Sequence, residues 1–275
     1  MRAILIVMIL IISVSGCTIK SDQVISEGLA INVEADPQRV FSDSTTRLYV
    51  DVENIDTKTV NDLDVDVYYT GRLTELDEEN CKKHEDELEP GEIVIMEKCD
   101  LTAPSKDEMT VSSVKTDVAV KVDFTTKLNV AQLIEMITKE AYDIKVRAGS
   151  LETKPKSYVY RDKNIEMQVD FSDRLPIVVR EGKTSFVYFT IKNIGNGFIS
   201  DIEDRDFVIK QQEVNGNKIV DCDFTVISPR EREFPRIACE LNLPDDVTYL
   251  SNHVIIIELE YDYEIRKEVP VEIVR

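Results

Sequence analysis

CDLTAP, Cys99 to Pro104, and CELNLP, Cys239 to Pro244, are one phrase, C-x-L-x-x-P, written twice in the same chain. Each copy follows an earlier cysteine, Cys81 or Cys222, 18 and 17 positions upstream. Outward from the phrase the match continues. RLYVDVENI (Arg47–Ile55) lies on SFVYFTIKNI (Ser185–Ile194) when Asn54 is placed on Asn193. Leu48, Val50 and Val52 alternate with polar residues in the first copy, as Val187, Phe189 and Ile191 alternate with their neighbours in the second. Period-two alternation of β-branched and aromatic residues marks strands with one buried face. A turn follows in each copy, Asp56-Thr57-Lys58 or Gly195-Asn196-Gly197. Each copy then closes on a strong strand, DVAVKVDF (Asp117–Phe124) or HVIIIELEYDY (His253–Tyr263).

Short alternating strands with turns between them, in a unit repeated twice, predict an all-β chain of two tandem antiparallel β-sandwiches. The first is expected over residues 25–150, the linker over 151–157 (LETKPKS) and the second over 158–275. The halves are expected to fold independently. One region carries two patterns. Val130, Leu133, Ile134, Ile137, Ala141 and Ile144 share a helical face, while the repeat asks for a closing strand near Leu128–Met136. The expected compromise is a strand followed by a short helix before the linker, with Thr138 as N-cap and Gly149 at the C-cap.

VDVENIDTKTVNDLDVDV and FTIKNIGNGFISDI, alternating strands that end in an Asn-Ile turn, resemble the CARDB-type immunoglobulin-like modules of prokaryotic, chiefly archaeal, cell surfaces. The resemblance spans nearly all of the chain after residue 24, with Asp56 standing in the first copy where the second has a glycine. It implies adhesion, assembly or display rather than a reaction.

The N-terminus fits that setting. Arg2 precedes the unbroken apolar run Ala3–Ile12, and Val14-Ser15-Gly16-Cys17 has the form of a lipobox. Residues 1–16 are therefore expected to be a lipoprotein signal peptide, Cys17 the lipid attachment point and 17–24 a tether. The alternative is an uncleaved anchor, since Ala3–Ile19 carries no charge and has the minimum length for a tilted span. Either way the body is expected outside the cytoplasm, held at the outer face of the cell membrane. In that oxidising place the four remaining cysteines predict disulfides. The duplication chooses Cys81–Cys99 and Cys222–Cys239, since each copy carries its own pair. Zinc on Cys81, His84 and Cys99 is the competing reading, and the second copy lacks the histidine it needs.

A net charge of −20 disfavours nucleic acid, whose phosphates require basic patches. The chain has two histidines, His84 and His253, and no G-x-S-x-G, H-E-x-x-H or phosphate loop. An enzyme is not expected, nor a cofactor or a bound metal. Asp62, Asp64 and Asp66 stand in a row about 7 Å apart along one strand face, and such a row does not converge on calcium. The functional expectation is a tethered structural, adhesive or protein-interaction module, meeting another protein or a surface polymer. An accessory ligand-binding or assembly subunit of a transporter or secretion complex is the alternative, and a hydrolase a distant one.

Overall fold

The alternating segments form strands. The computed structural model describes residues 24–26, 28–75, 77–180, 183–211, 218–242 and 249–275, and these described residues are all-β apart from one α-helix and two 3-10 turns. The first half runs β1 (Val24–Ser26), β2 (Leu29–Asp36), β3 (Arg39–Phe41), β4 (Thr45–Asn54), β5 (Val60–Tyr69), β6 (Thr74–Glu75), β7 (Lys82–Leu88), β8 (Ile93–Thr102) and β9 (Ser113–Thr138), then helix α1 (Lys139–Arg147). The second runs β10 (Ser157–Arg161), β11 (Ile165–Phe171), β12 (Ile177–Val179), β13 (Ser185–Asn193), β14 (Phe198–Ile199), β15 (Ile202–Glu203), β16 (Phe207–Gln211), β17 (Val220–Cys222), β18 (Val226–Ile227), β19 (Ile237–Leu241) and β20 (Leu250–Val274).

Each half owns a five-stranded antiparallel sheet, in the order β1-β2-β4-β8-β6 or β10-β11-β13-β19-β17. The repeat is plain in these orders, since β2-β4-β8 corresponds to β11-β13-β19. The sheet facing them is common to both. β9 and β20 pair antiparallel without a break, from Ser113 opposite Val274 to Ile137 opposite Leu250. β5 and β7 extend this sheet beside the first part of β9, and β16 extends it beside the first part of β20. Two short parallel strands finish the ends: β3 on Glu272–Val274 of β20, and β12 on Met136–Thr138 of β9.

This arrangement differs from two self-contained sandwiches in tandem. The first part of β9 lies in the first sandwich and its last part in the second, while β20 does the reverse. The physical reason is length. Alternation persists over 26 residues in β9 and 25 in β20, whereas one sandwich layer accommodates strands of about 5–10 residues. The excess of each strand must satisfy its amides elsewhere, and the other half supplies the partner. The two halves are thus related by an approximate two-fold axis near the directly opposed pair Phe124 and Tyr263, whose rings lie 5.6 Å apart. The expected linker at 151–157 marks a boundary in the chain that the hydrogen-bonded sheet ignores.

Inner faces of the three sheets form one apolar cluster, running from Leu29 and Leu48 in the first half to Phe189 and Ile257 in the second. Phe189 of β13 packs edge-on against Phe207 of β16 at 5.1 Å, joining the layers of the second sandwich. The doubtful stretch resolves as strand then helix. Thr138 accepts a hydrogen bond from the Ala141 amide at the N-terminus of α1. At the other end Gly149 adopts φ 63°, and the amides of Gly149 and Ser150 close on the carbonyls of Val146 and Lys145. Glycine reaches that conformation without strain.

Candidate interaction surfaces

The cysteines anchor both sandwiches in one way. Cys81 is bonded to Cys99 and Cys222 to Cys239, with Cα separations of 4.5 and 4.2 Å. Cys222 and Cys239 are directly opposed on β17 and β19, and Cys81 ends a 3-10 turn against β8. Leu101 and Leu241, the leucines of the repeated phrase, are buried beside these bridges. His84 points away from the first bridge and does not join Cys81 and Cys99 in a ligand set. Cys17, the expected lipid site, lies outside the described residues.

The repeated Asn-Ile turn has a structural explanation that the alternation does not reveal. Asn54 and Asn193 end β4 and β13 with their side chains buried. The Asn54 side chain donates to the carbonyls of Lys58 and Leu88 and accepts from the Asp56 amide. Asn193 repeats the pattern, donating to Gly197 and accepting from the Gly195 amide. Each asparagine acts as the missing backbone of its turn. The Tyr263 hydroxyl accepts from the Gly197 amide at 2.7 Å, tying the second turn to the centre of the shared sheet. Lys163 and Asp56 approach to 3.7 Å across the two halves at the same level.

Among the described residues, two of the surface concavities are lined largely by charged side chains. An open groove of about 450 Å³ is lined by Asp64, Asp66, Lys82, His84, Lys121 and Asp123 among others. Here β5, β7 and β9 lie side by side. His84 bonds Asp64 through Nδ1 at 2.8 Å and Asp86 through Nε2 at 3.1 Å, so both ring nitrogens face carboxylates. These hydrogen bonds, Asp64 first, raise the imidazole above its ordinary pKa. Burial raises the Asp123 carboxyl despite its ion pair with Lys121. Leu63, Val65 and Val67 face the core and Asp64 points outward, but the expected straight row of acids is broken: Asp62 has φ 49° in a bulge where the β5–β9 register shifts, and Asp66 is only partly exposed.

A second concavity, about 510 Å³, lies where β20 passes the β14–β16 connection. Asp201, Glu203, Asp206, Glu260 and Asp262 line it with Arg205. Tyr261, buried at its floor, donates to Asp162 at 2.8 Å, and burial first, then that carboxylate, pushes its hydroxyl far above the ordinary pKa. Among the described residues no group of three or more His, Cys, Asp or Glu is arranged to hold a metal ion. His253 bonds the Ser251 hydroxyl at 3.1 Å near the start of β20.

No protein-family model matches the chain, and no curated protein is similar to it. The acidic concavity escaped the sequence reading because Asp201 and Asp206 are separated from Glu260 and Asp262 by half a domain. Only the pairing of β14 and β16 with β20 brings them together.

Proposed function

We propose that this chain is an extracytoplasmic structural or protein-interaction module, tethered to the membrane through Cys17 and built from two immunoglobulin-like units of the CARDB type. The observation that carries the reading is the pair of disulfides, one in each half of an all-β fold. Such bonds persist in oxidising compartments and are rare in the cytosol. Among the described residues no helix is long and apolar enough to cross a membrane, which leaves attachment to the N-terminal segment in this reading. The continuous β9–β20 ladder supports a mechanical or display role, because it joins both halves through backbone hydrogen bonds rather than through a flexible hinge.

The test is affinity purification of the full chain from native membranes, with Cys17→Ala alongside. The expected result is a detergent-partitioning protein that brings down a surface protein or polymer, and a Cys17→Ala form that is released or left as precursor. A mature-length Cys17→Ala protein still held in the membrane would refute the lipid tether. A stable complex with a permease would instead assign the chain to a transporter as an accessory subunit.

A further inference from the structure

We propose that the outer face of the shared sheet, over the second half of the chain, docks a basic amphipathic segment of another protein. The inference rests on the interaction-module reading above and names the surface that would serve it.

The duplication provides an internal comparison. β9 and β20 cross both halves with their inner faces in the core, so each half displays an outer face of the same two strands. Over the first half the outward positions are mainly charged: Lys115, Asp117 and Lys121 around Ala119 on β9, and Glu264, Arg266 and Glu268 before Pro270 on β20. Over the second half apolar residues take the middle of the face: Ala131 and Leu133 on β9, Val254 and Ile256 on β20 and Val208 on the neighbouring β16, with Leu250 beyond Asn252, and with Asn129, Glu135 and Glu258 at the rim. The register makes these one stripe. Val254 stands opposite Leu133, Ile256 stands opposite Ala131, and Val208 lies opposite Glu258, two positions along the same face. Val254, Ile256 and Val208 are 50%, 43% and 40% exposed. The first half folds on the same two strands with charges at most of these places, so the ladder does not require a run of exposed aliphatic side chains there. Exposed apolar side chains grouped on one face and rimmed by polar residues have the form of an interaction site.

Charge decides the occupant. Farther along the same face of β20, Glu260 and Asp262 enter the acidic concavity with Asp201, Glu203 and Asp206. Among the described residues, the cations paired with these five carboxylates are Arg205, with Glu203 and Asp206, and Lys127, with Glu260 at 2.5 Å. Negative charge remains in excess, and a lysine or arginine arriving from the stripe would meet it. A segment with apolar side chains along the stripe and cations at its concavity end satisfies both features at once. A second copy of this chain would bring another −20 to the contact, and an anionic membrane would be repelled in the same way.

The test is site-specific photo-crosslinking in the full chain, in the cells that make it. A benzophenone amino acid replaces Ile256, and in a control replaces Glu268 on the first-half face. Both positions point outward, and an unchanged melting transition verifies the fold. The expected adduct from position 256 is a peptide of another protein that pairs apolar residues with at least two lysines or arginines. Position 268 should yield at most about a tenth as much. Asp201→Asn, Glu260→Gln and Asp262→Asn together should lower the yield about tenfold, as the loss of three exposed charge contacts allows. Raising the salt over isolated membranes should act in the same direction, which covers the case of a carboxamide variant that misfolds. An adduct with a second copy, with lipid or with a segment lacking cations would overturn the proposal, as would equal yields at both positions, insensitivity to charge and salt, or no adduct. If membrane purification yields a partner while position 256 stays silent, the surface fails and the function stands.

Discussion

Separating the halves tests the shared sheet most directly. The perturbation is to express residues 24–150 and 151–275 as two polypeptides under oxidising conditions. The first fragment loses the β20 residues that line its sandwich, among them Ile265, Val269, Val271 and Ile273, all buried in the whole chain. The second loses Leu128, Val130, Ile134 and Met136 of β9, also buried. Burying one such side chain contributes about 1.5–3 kcal/mol, so four contribute roughly 6–12 kcal/mol to each sandwich. An entire domain is stable by about 5–15 kcal/mol. Each fragment also bares a long row of unpaired amides and carbonyls along its remaining long strand. Neither should therefore persist as a folded monomer. Each should be unfolded or self-paired, with two copies of β9 or of β20 replacing the missing ladder. Mixed or co-expressed, they should form a 1:1 complex with the β circular dichroism of the intact chain. Sedimentation gives the mass and thermal circular dichroism the stability. A monomeric fragment that melts cooperatively within a few degrees of the intact protein would refute the reasoning.

Further outcomes follow from the same contacts. Gly197→Ala places a methyl group on the Glu264 carbonyl and the Tyr263 ring; a destabilisation of about 1–3 kcal/mol or more is expected, read as a lower urea midpoint. Replacing Cys81 and Cys99 by serine opens a loop with a sequence separation of 18, at a cost of about 3 kcal/mol on the chain-entropy model. Because β9 and β20 tie the halves together, calorimetry of that variant should show one transition moved down, and two well-separated transitions would contradict the coupling. His84 should titrate above the ordinary histidine range in NMR spectra, and Asp64→Asn should bring it down. The sign follows from that raised value: the His84 clamp stabilises β7 below the unfolded histidine pKa, about 6.5, and its contribution disappears as pH climbs through the folded value. A resonance that titrates at or below the unperturbed value would exclude the clamp in solution.

Much of the architecture is legible in the residues. Alternation identified β4, β5, β13 and the cores of β9 and β20, because side-chain period is a local property of an extended backbone. The pairing Cys81–Cys99 and Cys222–Cys239 followed from the duplicated phrase, and Thr138 and Gly149 marked both ends of the helix by their cap chemistry. Those signals are short-range, or they are repeated. The partner of each long strand is neither. Nothing local distinguishes a β9 that folds back on its own half from one that crosses to the other, since both bury the same alternate residues. The choice belongs to backbone hydrogen bonds between Ser113–Ile137 and Leu250–Val274, more than a hundred positions away in the chain. Which outward faces stay charged, and which meet an acidic concavity, depends in turn on that register. Sequence by itself determined the strongly alternating strands, the bridges and the duplication; tertiary structure decided that the two copies share one sheet, because a strand longer than its own sandwich must find its remaining partners in the other.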